Sequence, residues 1–145
     1  MLAFSCQDAP HICSFDPEHF QPELIERRLW YDSMGSAKHI TDPFLALMRK
    51  AFWTSGPPLV YDAVFAVTWA LDHAIEVNPG GVNGPIRIAV IERQEGRLKA
   101  RLLSEDELDE HKQNVEATYE ALRRFRNRQS AATARDLPEM PKLDL

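Results

Sequence analysis

The chain has 145 residues, 44% of them hydrophobic and 27% charged, and a formal net charge of -5 at pH 7. That length holds one globular domain with one core and leaves no room for a second. The acidic balance argues against nucleic acid as a partner, because phosphate-binding surfaces concentrate Lys and Arg on one face.

The start, "MLAFSCQDAP", has neither a basic head nor a long apolar centre, so it is not read as a signal peptide. No apolar run reaches the length that spans a bilayer, and the expected setting is cytoplasmic, with no membrane partner. Cys6 and Cys13 are expected to be reduced, buried and without a chemical role.

Met1 to Cys6 and His11 to Phe15 are short apolar runs split by polar "QDAP", which predicts two strands of a hairpin or meander. "DPEHFQPELIERR" reads as a surface loop, and "LWYDSM" as a third strand that delivers Gly35-Ser36. The pattern then turns helical. Asp42 as cap and Pro43 at the first position predict a helix carrying Phe44, Leu45, Leu47, Met48, Ala51 and Phe52, stopped by "TSGPP". A longer helix follows from about Leu59 to Val77, with Ala63, Val64, Val67, Ala70, Leu71, Ala74 and Ile75 on a broad apolar face that needs cover over much of its circumference.

"NPGGVNGP" ends that helix, and "IRIAVIE" and "RLKARLL", separated by "RQEG", predict an antiparallel hairpin. Ser104 with Glu107 three residues on is a capping box for a last helix, striped by Leu108, Val115, Tyr119 and Leu122. Arg123, Arg124 and Arg126 are expected near its end, where cations complement the helix dipole. Residues 128–145 are expected to be a flexible tail behind a domain of residues 1–127. Segregated strands and helices give the fold class α+β rather than a doubly wound sheet.

Several features have plain structural explanations. Gly35-Ser36 in isolation most often marks a turn. His73 lies on an apolar helix without a second ligand four residues away, which fits a core histidine better than zinc. "NPGGVNGP" lacks the lysine and following hydroxyl of a phosphate loop. The carboxylates from Glu105 to Glu110 stabilise a helix N-terminus, and Trp53 and Trp69 suit a core or a subunit contact. No cofactor and no metal is expected.

The order of Gly-Ser turn, helix, second long helix, glycine-containing loop, hairpin and final helix resembles the later part of a proteasome β-type subunit. "YDSMGSAKHITDPFLALMRKAFW" is similar to that family's segment around its Gly-Ser-Gly motif and the helix after it. "LVYDAVFAVTWALDHAIEVNPGGVNGPIRIAVIE" is similar to its next helix, loop and strand. The resemblance runs from roughly Phe4 to Arg126 and is nearest to bacterial proteasome-type subunits.

It implies an N-terminal nucleophile hydrolase, a four-layer αββα sandwich working as a self-compartmentalised peptidase of stacked rings. The nucleophile there is a threonine at the mature N-terminus, whose hydroxyl attacks while its own α-amine, titrating near neutrality, carries the proton. The serine of Gly-Ser-Gly helps hold that amine, and by motif match it is Ser36, with Gly35 before it and Ala37 in the second glycine's place. Asn78 and Gly81 take the places of a supporting aspartate and serine in the loop after the long helix.

The first strand here resembles a middle strand of the family, so the chain is expected to be an N-terminally truncated domain, a partial sandwich lacking its first strands and the nucleophile. Ser36 is then expected to keep a supporting role only, with the chain inactive by itself. Open sheet edges and uncovered inner faces imply that the chain alone is aggregation-prone or partly folded. The expected partners are a homo-oligomer or ring of related subunits, and peptide or protein substrates once the site is completed. The alternatives are a non-catalytic ring or interaction subunit, and an unrelated small α+β binding domain.

Overall fold

The computed structural model describes residues 1–7, 9–16, 18–25 and 30–136, with side chains up to residue 130. It is a mixed α+β arrangement of three helices and two small antiparallel sheets. The strands are β1 (Leu2–Cys6), β2 (Ala9–Phe15), β3 (Pro22–Leu24), β4 (Ala89–Gln94) and β5 (Arg97–Leu102). The helices are α1 (Lys38–Phe52), α2 (Val60–Val77) and α3 (Glu105–Asp136).

The first sheet has the order β1-β2-β3, with Leu2 opposite Cys13 and Cys6 opposite Ala9. That register sets the two cysteines at opposite ends of β1, and both thiols are free. Cys13 is buried as expected; Cys6, expected buried, is exposed because β1 is an edge strand with every residue exposed. The second sheet is the predicted hairpin β4-β5, closed by Glu95 and Gly96 at φ 53° and 79°. Two successive positive φ values match the twist of the flanking strands, and the second one suits glycine.

The third strand is not where the sequence suggested. Pro22–Leu24 pairs with β2 at the sheet edge, where proline's missing donor is tolerated. Trp30–Met34 is irregular, because its polar side chains bond locally instead of leaving the backbone to a ladder. The Ser33 N–H donates to Asp32 Oδ1 at 2.9 Å, and the Ser33 hydroxyl donates to Asp42.

Helix α1 also differs from expectation, starting at Lys38 rather than after Asp42. Its Pro43 lies inside the first turns, where the missing N–H deprives the His39 carbonyl, and Asp42 is occupied by Ser33 instead of capping. Helix α2 falls where its apolar period placed it and packs against both α1 and α3. Leu45, Met48, Ala66, Trp69, Ala70 and Val115 form the core between the three helices. The Trp69 ring meets Phe44, Phe65 and Tyr119, each at 5.5 Å between centroids.

The capping box of α3 forms in both directions. The Ser104 N–H donates to Glu107 Oε2 at 2.9 Å, and the Glu107 N–H donates to Ser104 Oγ at 3.3 Å. Arg101 on β5 grips Glu107 with two hydrogen bonds of 2.9 Å and Glu92 with one of 2.7 Å, tying the hairpin to the helix. The Arg101 guanidinium and the Ser104 N–H hold the Glu107 carboxyl down at about 2.

Helix α3 continues past Arg128, where the tail was expected to begin. Nothing between Gln129 and Asp136 is Gly or Pro, and its alanines favour helix. The rest of the expected tail, 137–145, lies outside the described residues. The sheets are thinly covered, since Cys13 and Val90 are the only buried strand residues among those described.

Candidate functional site

The site is built where the entry to α1 meets the loop leaving α2. Gly35 has φ 87°, a conformation that favours glycine, and its carbonyl accepts the Lys38 N–H at 3.2 Å. This turn presents Ser36 to the far loop. The Ser36 hydroxyl donates to the Gly81 carbonyl at 2.9 Å, a contact between residues 45 apart in sequence.

Asn78 caps α2, its N–H donating to the Ala74 carbonyl at 3.1 Å. Its own carbonyl accepts the N–H groups of Gly81 and Val82, both at 3.0 Å, folding the loop back. A Cβ at position 81 would lie 2.6 Å from Asn78 Nδ2, so the Asn78 side chain fills the space a larger residue would need. Gly35, Ser36, Asn78 and Gly81, named from the sequence, are therefore gathered at one place.

The chemistry available there is holding rather than attack. The Ser36 proton is committed to a carbonyl, which leaves the hydroxyl lone pairs open to a donor. Near it stands a group that the sequence reading missed. Lys38 Nζ lies 3.2 Å from Asp32 and 3.6 Å from Asp42, joining the irregular segment to α1. The hydrogen bond to Asp32, assisted by Asp42, raises the Lys38 pKa, so the amine stays charged and is no base. The spacing of Lys38 and Asp42 on one helix face was a signal for half of this cluster.

A second polar cluster joins α2 to α3. The Tyr61 hydroxyl donates to Glu110 at 2.7 Å and accepts from Asn114 at 3.0 Å, and its ring lies against buried His111. The bond to Glu110 raises the Tyr61 pKa and keeps the phenol protonated, as a structural tie requires. His73, expected in the core, is half-buried and stacks on Phe44 at 4.8 Å, and Trp53 packs against the core as expected. Among the described residues no group of three His, Cys, Asp or Glu is arranged to hold a metal ion, and no helix is long and apolar enough to cross a membrane.

Compared with models of protein families, with curated proteins and with solved structures, the chain matches none.

Proposed function

We propose that the chain is the C-terminal portion of a proteasome-like, threonine-type peptidase that hydrolyses peptide bonds inside a self-compartmentalised ring, and that alone it does not cleave peptides. The observation that carries this reading is the Ser36 to Gly81 hydrogen bond, which joins the Gly-Ser turn to the glycine loop after the long helix. Those are the two segments that support the nucleophile in the family the sequence resembles. The element order of turn, α1, α2, loop, hairpin and α3 supports it too. In this reading the helices form one outer layer and the two sheets belong to the inner layers of an αββα sandwich.

Ser36 has a supporting role, accepting a hydrogen bond from the α-amine of an N-terminal threonine while its own proton stays on Gly81. Asn78 offers a neutral amide where an aspartate would carry charge, which weakens any base at this wall. Peptide or protein substrates belong to the completed, cytoplasmic ring.

A second reading, a non-catalytic ring or interaction subunit, is favoured by Leu47 and Phe52, 61% and 56% exposed on α1, which offer apolar surface to a neighbour. Hydrolysis of fluorogenic peptides by the purified chain tests the proposal. The expected result is no turnover; turnover abolished by Ser36→Ala would make Ser36 a nucleophile and overturn it.

A further inference from the structure

Helix α3 outruns the body it packs on. Leu108, His111 and Val115 are buried against the rest of the fold, and the same seven-residue spacing continues to Leu122 and Phe125, which are 53% and 55% exposed. From Glu120 to Ser130 every side chain is exposed. The stretch 121–130 also carries Arg123, Arg124, Arg126 and Arg128 with no acidic residue, in a chain whose net charge is -5. Complementing the helix dipole does not account for them, because that effect is confined to the last turn and α3 runs on to Asp136.

Two of these cations are already engaged. Arg123 pairs with Glu116 at 3.2 Å and Arg124 with Glu120 at 3.5 Å. Arg126 contacts only the Asn127 side chain, and Arg128 has no partner among the described residues. Beside the root of this arm, a cavity of about 320 Å³ opens between α2 and α3, lined by Asp72, Ile75, Glu76, Glu116, Tyr119 and Arg123. Asp72 and Glu76 have no cationic partner among the described residues. A cation of the arm without an acidic partner, Arg126, and two carboxylates of the groove without a cationic one thus adjoin along α3.

We infer that this surface is self-complementary and binds a second copy of the chain across a two-fold axis, the arm of each copy lying in the α2–α3 groove of the other. An antiparallel pair that sets Leu122 of one copy against Phe125 of the other brings Arg126 to the side of the seam on which Tyr119 and Arg123 border the groove, toward Asp72 and Glu76. Arg123, held by Glu116 at the edge of the groove, leaves Asp72 and Glu76 to that cation, and Arg124 and Arg128 lie on the far side of the seam. An isologous contact closes on itself as a dimer. Two to three helical turns per copy make an interface at the small end of the range, so the dimer is concentration-dependent, on the order of micromolar. The inference stands independently of the peptidase reading.

Sedimentation velocity on the full chain, over a range of concentrations and at low and high salt, is the test. The expected result is a reversible monomer–dimer equilibrium weakened by salt. Arg126→Glu should weaken it at least about tenfold, because the contact each copy makes with the other's carboxylates becomes repulsive in both directions, with helical circular dichroism unchanged. Mixing that variant with Asp72→Lys/Glu76→Lys should restore pairing between the two and not within either. If larger assemblies obscure sedimentation, co-expression of one variant tagged and the other untagged reads the same pairing by co-purification. A dimer indifferent to the arginine reversal, mixed variants that fail to pair, or a chain that stays monomeric while its arm binds anionic vesicles would each overturn the inference.

Discussion

Leu47 and Met48 are neighbours on α1 with opposite fates, and the difference predicts a large contrast between two similar substitutions. Met48 is 2% exposed in the core with Leu45 and Trp69, whereas Leu47 is 61% exposed. Met48→Ala removes buried methylenes and leaves a cavity, which costs about 2–5 kcal/mol. Leu47→Ala removes surface that water already reaches and should stay within about 0.5 kcal/mol. Urea unfolding followed by helical circular dichroism reads the three-helix layer directly. With a denaturant slope of about 2 kcal/mol/M, Met48→Ala should lower the midpoint by roughly 1–2.5 M and Leu47→Ala by no more than about 0.3 M. Equal shifts, or a larger one for Leu47, would show that α1 buries a different face from the one described.

Glu107 sets a pH window. Its folded carboxyl titrates at about 2 against an ordinary 4.5, so its contribution is complete above about 4.5 and is lost as pH falls toward 2. Urea midpoints measured across that window should fall less steeply in Glu107→Gln than in the parent chain; identical profiles would contradict the role of the Arg101 bond. Gly81→Ala should destabilise the loop by roughly 0.5–1 kcal/mol through the clash with Asn78, and adding Asn78→Ala should recover most of it; an additive double variant would refute the contact. Ser36→Ala should cost at most about 1 kcal/mol, since its hydrogen bond is neutral and exposed; a loss several times larger would assign Ser36 a burial it does not have here. The fully exposed β1 edge should make the chain aggregate at high concentration, and an absence of light scattering from large assemblies at such concentration would count against that.

Much of this architecture was legible because the signals are local. Helix α2, the Ser104–Glu107 capping box and the β4-β5 hairpin are set within a few residues and all three form, although α2 buries Ala66, Thr68 and Trp69 and exposes Val67, and Arg93 and Gln94 of "RQEG" extend β4 so that Glu95-Gly96 alone makes the turn. The errors arose where local rules met tertiary demands. Asp42-Pro43 is a sound helix start in isolation, yet Asp42 is drawn to Ser33 and Lys38, and α1 begins earlier. "LWYDSM" has strand composition, but Asp32 and Ser33 use their side chains to bond the backbone nearby. The end of α3 was misplaced because its apolar stripe stops at Phe125 while helix-favouring residues continue. The Ser36–Gly81 contact was not readable from spacing; only the family resemblance put its two segments at one site, whereas the Asp32–Lys38–Asp42 cluster had no more than the spacing of Lys38 and Asp42 to announce half of it.

The central claim is that this chain carries one wall of a threonine-peptidase site. Sequencing the DNA immediately upstream of Met1 and translating it in the same frame tests this most directly. The account predicts an open frame encoding a threonine-led pair of strands. An in-frame stop codon directly before Met1 would contradict it and leave the non-catalytic subunit as the better reading.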